Sequence, residues 1–123
     1  MKFFHILLSV LFYFSNQFLI AQIPNGSIAP NFTLTDIDGN THELYDYLDQ
    51  GKSVLLDFFA VWCGPCQSHA STLESAYLAY GPNGSNSMMF LSLEAENSTT
   101  DAQCNIYGGF PWSSIISYPI INN

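Results

Sequence analysis

The stretch "SVLLDFFAVWCGPCQSHA", Ser53 to Ala70, decides the fold. Its first eight residues, Ser53 to Ala60, form a near-continuous apolar run, which is typical of a strand covered on both faces, usually a central parallel strand. From Pro65 the apolar residues follow helical spacing instead. One face of the predicted helix carries Cys66, Ala70, Leu73, Tyr77 and Tyr80.

A second apolar run, Met88 to Leu93, predicts another buried strand after this helix. The stretch is therefore a βαβ unit of an α/β protein, and its first strand ends at Cys63. In such sheets, reaction sites gather at the carboxyl ends of the strands. The cysteines lie where this rule places a site.

The residues before this unit predict a hairpin and a short helix. In "FTLTDIDGNTHEL", Phe32 to Leu44, apolar and polar residues alternate around a turn whose Gly39 tolerates a positive φ. A helix is predicted over Glu43–Gly51, with Gly51 at the C′ position.

The composition narrows the classes of function. The 123 residues indicate one small domain, and the hydrophobic content of 48% is enough for a core. The chain has ten acidic side chains and only two basic ones, Lys2 and Lys52, so it offers almost no cations to a phosphate backbone. We therefore do not expect the protein to bind nucleic acid.

The N-terminus has the layout of a secretory signal peptide. Lys2 precedes an apolar block from Phe3 to Phe14, and the small residue Ala21 follows a more polar stretch. We expect a signal peptide over residues 1–21 and a mature domain over 22–123, which implies an extracytoplasmic location. The alternatives are an uncleaved membrane anchor and a buried N-terminal helix. The apolar block is shorter than the roughly 20 residues that a helix needs to span a bilayer, which argues against the anchor.

The pair Cys63 and Cys66 could bind a metal, form a structural disulfide or act as a redox pair. A zinc site needs four ligands, and beyond the pair the sequence offers Cys104, His42 and His69 without a second close-spaced pair. A structural disulfide closing so short a loop would stabilise the fold little. No metal and no other cofactor are therefore expected.

The redox function has a mechanism. Cys63 would begin a helix, where unpaired N–H groups and the helix dipole favour a thiolate. Cys66, one turn along, could attack the mixed disulfide that Cys63 forms with a substrate. Pro65 lies in the first turn, where its missing N–H does least harm.

The motif "WCGPC", Trp62 to Cys66, resembles the active-site motif of the thioredoxin family. With the upstream "IAPNFTLTDIDGNTHELYDYLDQGKSVLLDFFAV", the chain resembles the secreted thioredoxin-like reductases related to cytochrome-maturation proteins and to the peroxiredoxin-like superfamily. The resemblance covers roughly Ser27 to Glu94. It implies a thioredoxin-like three-layer α/β sandwich with an N-terminal β-hairpin extension.

The resemblance also implies roles for individual residues. Cys63 would be the exposed nucleophile, Cys66 the more buried resolving thiol, and Trp62 a docking surface. Asp57 matches a buried acid of many thioredoxins. A carboxylate within "VLLDFFA" should have a raised pKa and could exchange a proton with Cys66. The alternative for Asp57 is a solvent-facing residue at a strand edge.

The C-terminal part departs from the family pattern. A thioredoxin-like domain continues with a cis-proline beside the cysteines, a strand pair and a closing helix. Pro111 could be that proline, or the proline could lie beyond Asn123, which we favour. We expect a C-terminally incomplete domain whose last sheet edge is unpaired. Cys104 is expected to be a buried or incidental thiol, with a partner-linking or regulatory thiol as the alternative. His69 is expected to lie on the helix surface.

We therefore expect an extracytoplasmic thiol–disulfide oxidoreductase, more a reductase than an oxidase. Its partners would be protein disulfide or dithiol substrates and a redox partner protein, with membrane contact only through an uncleaved N-terminal segment. The "APNFTL" opening, Ala29 to Leu34, suggests a thiol peroxidase as an alternative. A non-catalytic secreted adaptor with the same fold is the other alternative.

Overall fold

A computed structural model describes residues 23–122, so the predicted signal peptide lies outside the described residues. Residues 23–30 belong to a different compact unit from the residues that follow, and they are irregular and exposed, as the prolines and glycine predict. A turn forms there, in which the Ser27 N–H donates to the Pro24 carbonyl at 3.0 Å. Among residues 23–122, no helix is both long and apolar enough to cross a bilayer.

Residues 31–122 form a mixed α/β unit with two sheets. In chain order, its helices and strands are β1 (Thr33–Thr35), β2 (Thr41–Glu43), α1 (Leu44–Leu48), β3 (Ser53–Phe59), α2 (Gly64–Tyr80), β4 (Met88–Glu94), α3 (Asp101–Asn105), α4 (Trp112–Ile115) and β5 (Ile120–Asn122).

The predicted hairpin is confirmed. Strands β1 and β2 pair antiparallel, and Gly39 in the turn has a φ of +86°. Asp36 organises the turn because its Oδ1 accepts hydrogen bonds from the N–H groups of Asp38 and Asn40. Asp36 also bonds His42 across the hairpin, Oδ2 to Nε2, at 2.9 Å.

Helix α1 is shorter than the predicted Glu43–Gly51. It ends at Leu48, and Gly51 comes one position after C′, so the predicted C′ placement was wrong by one residue. The reason is that the end of the helix tightens into three-residue turns, in which the N–H of Gly51 donates to the carbonyl of Leu48 at 2.8 Å. Gly51 has a φ of +77°, which is the conformation that favours glycine there.

The βαβ unit is present as predicted: β3 and β4 pair in parallel on either side of α2. The sheet order is β3-β4-β5, so β4 is the central strand of the described sheet and β3 lies at its edge. The prediction that β3 is central and covered on both faces was therefore wrong for the described residues. Burial shows the same, because Phe58 is 66% exposed whereas β4 is mostly buried.

The other edge of the sheet is not left bare. Strand β5 pairs in parallel with β4, and its far side meets the hairpin through the N–H of Ile37, which donates to the carbonyl of Ile120 at 2.9 Å. A bridge between Asp36 and Ile121 adds to this contact. The hairpin therefore covers the edge at β5, and the unpaired edge predicted for the described sheet lies at β3, which pairs with β4 alone.

The core lies against the sheet face that α2 covers. Tyr77 of α2 meets Phe90 of β4 edge-on, with ring centroids 5.6 Å apart, and Tyr118 packs against both rings. Trp112 of α4 packs on Phe59 at the end of β3, with centroids 4.7 Å apart. The first cluster packs α2 against the central strand, and the Trp112–Phe59 contact packs α4 against the end of β3 from which the cysteines follow.

Candidate active site

The two cysteines lie at the junction of β3 and α2 and form a disulfide, with their Cα atoms 5.2 Å apart. Cys63 is the N-cap of α2, and Pro65 lies in the first turn, as predicted. The backbone N–H of Cys66 donates to the Cys63 Sγ at 3.2 Å. When the disulfide is reduced, this donor is placed to stabilise a thiolate on Cys63.

The surface around the disulfide is partly apolar. Trp62 is 58% exposed beside Cys63, which agrees with its expected place at the surface. Both cysteines are partly buried, and Cys66 packs against the hydrophobic core. The disulfide therefore lies at the surface of the domain with an aromatic side chain next to it.

Asp57 lies in the interior of β3 and is partly buried. It pairs in register with Ser92 of β4, whose Oγ donates to the Asp57 Oδ2 at 3.3 Å. Burial raises the pKa of Asp57 above its ordinary value of 3.8, although the Ser92 hydrogen bond opposes the rise. The direction of the pKa shift is the predicted one, and the side chain is partly buried although its strand lies at the edge of the described sheet.

The turn between β3 and the disulfide is held at Val61, a feature that the sequence did not reveal. The buried carboxylate of Glu94 accepts the Val61 N–H at 2.9 Å. The Val61 carbonyl accepts from Gln67 Nε2 at 2.9 Å and from Trp112 Nε1 at 3.2 Å. One signal could have pointed to Glu94: it is a carboxylate at the end of an apolar strand, which needs a partner when buried.

The remaining candidates lie outside the disulfide site. His69 is exposed on α2, as expected. Cys104 is a free, buried thiol, also as expected. Burial, together with the charges of Glu94 and Asp101, raises the pKa of Cys104 to about 11. Cys104 therefore remains a neutral thiol near neutral pH.

Pro111 does not supply a cis-proline. The peptide bonds of the described residues are trans, and Pro111 is the N-cap of α4. Its place in the fold follows from the short helix that it precedes, in which the Ile115 N–H donates to the Pro111 carbonyl at 3.1 Å.

Residues 23–122 contain no group of three or more His, Cys, Asp and Glu side chains that could hold a metal ion. His42, one of the side chains that a zinc site could have used, is instead bonded at both ring nitrogens. Its Nδ1 lies 2.7 Å from the Tyr47 hydroxyl and its Nε2 lies 2.9 Å from Asp36. The imidazole therefore links the hairpin to α1.

The chain is similar in sequence to proteins of known function. The sequence profile of the AhpC/TSA family matches residues 25–119. The chain is 42% identical over 59 residues to the thiol-disulfide oxidoreductase ResA of Geobacillus kaustophilus, covering 48% of this chain and 33% of that protein. It is 39% identical over 63 residues to ResA of Bacillus subtilis, covering 51% of this chain and 34% of that protein. The chain thus spans about a third of the length of these curated relatives.

Solved structures show the same fold. A Bacteroides thetaiotaomicron protein described as a candidate protein disulfide isomerase superposes with a TM-score of 0.65 at 25% identity, covering 82% of this chain and 58% of that one. The thioredoxin domain of a Bacteroides vulgatus thiol-disulfide oxidoreductase superposes with a TM-score of 0.59 at 21% identity, covering 82% and 65%. The thioredoxin-like α/β fold predicted from the sequence is confirmed.

Proposed function

Because the chain belongs to the AhpC/TSA family of thioredoxin-like proteins, we propose that it is an extracytoplasmic thiol–disulfide oxidoreductase that works as a reductase. The observation that carries the proposal is the Cys63–Cys66 disulfide at the N-terminus of α2. A dithiol at this position can pass two electrons to a substrate disulfide and return to the disulfide form.

The reduction proceeds in two exchanges. The Cys63 thiolate attacks one sulfur of the substrate disulfide, which forms a mixed disulfide and releases the other substrate sulfur as a thiolate. Cys66 then loses its proton and attacks the Cys63 Sγ, which forms the Cys63–Cys66 disulfide and releases the second substrate thiolate. The substrate gains two electrons and two protons, and a dithiol partner protein restores the starting dithiol.

Asp57 is proposed to handle the proton of Cys66. Its partly buried position raises its pKa, which makes it a better proton acceptor than an ordinary aspartate and suits a carboxyl that takes and returns a proton. Ser92 supports this role, because its hydroxyl bonds Oδ2 and keeps the carboxyl in place within the sheet.

Trp62 is proposed to dock substrate proteins. It is exposed beside the nucleophile and offers a rigid apolar surface at little cost in side-chain entropy. The expected substrates are therefore protein disulfides that can approach the surface at Trp62.

The extracytoplasmic part of the proposal rests on the sequence. The segment 1–21 has the layout of a signal peptide, and the domain would then begin at Gln22. Mass spectrometry of the protein purified from its native membrane and soluble fractions tests this, since an intact Met1 on the mature protein would contradict cleavage.

A thiol peroxidase is the second candidate, favoured by the "APNFTL" opening at Ala29 to Leu34. Such an enzyme would consume peroxide faster than it reduced a protein disulfide. A non-catalytic adaptor would do neither.

The deciding experiment is reduction of insulin by dithiothreitol in the presence of the purified chain. The reductase proposal predicts acceleration that is lost in Cys63→Ser and kept in Cys104→Ser, which serves as the matched thiol control. Peroxide consumption that exceeds insulin reduction would favour the peroxidase instead. Equal turnover by the wild type and Cys63→Ser would contradict both enzymatic proposals.

A further inference from the structure

The backbone N–H and the backbone carbonyl of Val61 are both hydrogen-bonded to side chains from other parts of the fold. Glu94 Oε2 accepts its N–H, and Gln67 and Trp112 donate to its carbonyl, at 2.9, 2.9 and 3.2 Å. Val61 is 1% exposed, so water cannot replace these partners easily. We call this set of three side chains around Val61 the Val61 clamp.

Glu94 is the charged member of the clamp and is itself fixed. It is 6% exposed, and its Oε1 accepts from the Glu96 N–H at 3.0 Å and from the Thr99 hydroxyl at 3.3 Å. Both carboxylate oxygens therefore hold hydrogen bonds to defined parts of the chain. A carboxylate held in this way gives charge-assisted hydrogen bonds, which are stronger than neutral ones.

The clamp acts on the turn that presents the reactive sulfur. Val61 precedes Trp62 and Cys63 directly, and the Cys63 N–H donates to the Ala60 carbonyl at 2.9 Å, which closes the turn around Val61. Gln67 ties the same carbonyl to the first turns of α2, where the Cys66 N–H meets the Cys63 Sγ. Movement of the Val61 peptide would therefore change how Cys63 caps the helix.

We propose that Glu94 is a positioning residue for Cys63: through the Val61 clamp it holds the turn in the geometry that stabilises the reduced, thiolate form of the pair. The proposal rests on the proposed function of Cys63 and Cys66 as a redox pair. Glu94 acts through the Val61 peptide and not by contact with a substrate, and its effect is on the reactivity of Cys63 and on the dithiol–disulfide equilibrium.

The test is equilibration of the full chain with glutathione. Two glutathione thiols become one glutathione disulfide as the Cys63–Cys66 disulfide becomes a dithiol, so the equilibrium constant reports the pair without any protein substrate. In Glu94→Ala we expect the equilibrium to shift at least about threefold toward the disulfide, the lower range for loss of one hydrogen bond. Alkylation of Cys63 in the reduced protein should slow in parallel.

The variant Glu94→Gln distinguishes the hydrogen bond of Glu94 to Val61 from the effect of its negative charge. The amide oxygen can still accept the Val61 N–H, but the negative charge is gone. We expect this variant to stay within about twofold of the wild type, since one retained hydrogen bond keeps the turn. If Glu94→Gln instead matched Glu94→Ala, the charge and not the clamp would be responsible, and the proposal would be overturned.

Glu74→Ala is the matched control. Glu74 is also a carboxylate that holds a backbone N–H, that of Ser117 at 2.7 Å, but it lies in the middle of α2 and outside the clamp. It should alter stability without moving the glutathione equilibrium. A folded Glu94→Ala with the wild-type equilibrium and alkylation rate would overturn the proposal.

If Glu94→Ala does not fold, a second variant tests whether the Val61 clamp affects Cys63. Gln67→Met removes one donor to the Val61 carbonyl from a partly buried helical position and keeps the side-chain length. A smaller shift in the same direction would support the clamp, and wild-type values would contradict it. Insulin reduction by the wild type is scored separately, so that a failure of the proposed function is distinguished from a failure of the clamp.

Discussion

Ser92 on the central strand donates a hydrogen bond to Asp57 on the edge strand, Oγ to Oδ2, at 3.3 Å. At this length the hydrogen bond is weak, and it does not offset the cost of burying the carboxylate. Burial therefore keeps the pKa of Asp57 above its ordinary value. A partly buried acid of this kind is a cost to stability that a proton-transfer role would explain.

We predict opposite effects of Asp57→Asn on activity and on stability. Because the folded pKa of Asp57 is raised, its ionisation opposes folding as pH rises through and above the unfolded value. The free energy of unfolding at pH 7 should therefore increase in Asp57→Asn. Insulin reduction should fall at least about a hundredfold, the lower range for loss of a general acid–base group.

The measurements for Asp57 are urea unfolding at several pH values and insulin-reduction kinetics. Asp38→Asn, which changes an exposed carboxylate in the hairpin turn, is the control and should leave turnover unchanged. An Asp57→Asn variant with full activity would remove Asp57 from the mechanism.

We predict that Trp62→Ala weakens substrate use with little loss of stability. Trp62 is 58% exposed, so its removal should change the free energy of unfolding by less than about 1 kcal/mol. If it docks protein substrates, kcat/KM for insulin should fall about tenfold, as for loss of an interfacial aromatic anchor. The rate with glutathione disulfide, which is too small to need the docking surface, is the internal control. A parallel fall in both rates would contradict docking.

We predict that the ionised Asp36 stabilises the protein fully above about pH 4, and that this stabilisation is lost progressively in more acidic solution. Burial alone would raise the pKa of Asp36, but hydrogen bonds from His42 and Asn40 lower it below the ordinary 3.8. A lowered folded pKa gives stability that is present above the unfolded value and is lost as pH falls through the folded value. Asp36→Asn should therefore lower the free energy of unfolding at pH 7 by about 1–3 kcal/mol.

Chemical unfolding between pH 2 and 7 tests the prediction for Asp36. The difference between the wild type and Asp36→Asn should shrink as the solution becomes more acidic than about pH 4. A constant difference across the range would mean that ionisation of Asp36 contributes nothing, and that the substitution acts through packing alone.

The sequence predicts the fold best in long segments whose apolar residues follow a clear strand or helix pattern. The change from an apolar run to helical spacing at Pro65 predicts the β3–α2 junction, and the structure has it there. The motif predicts the partnership of Cys63 and Cys66 as well. Both features are local, so the pattern of neighbouring residues is enough to reveal them.

Features that depend on distant contacts could not be predicted. The bond between Glu94 and Val61 joins residues 33 positions apart, and the Trp112 bond to Val61 spans 51 positions. The helices Asp101–Asn105 and Trp112–Ile115 are too short to show a period. The edge position of β3 also escaped prediction, because an apolar run alone does not reveal which strands pair with it.

The central claim is that Cys63 attacks and Cys66 resolves, and trapping the intermediate tests it most directly. Cys66→Ser should accumulate a mixed disulfide with a protein substrate, and peptide mass spectrometry should find the substrate joined to Cys63. Substrate joined to Cys104, or no adduct from a folded Cys66→Ser protein under conditions in which the wild type reduces that substrate, would contradict the account.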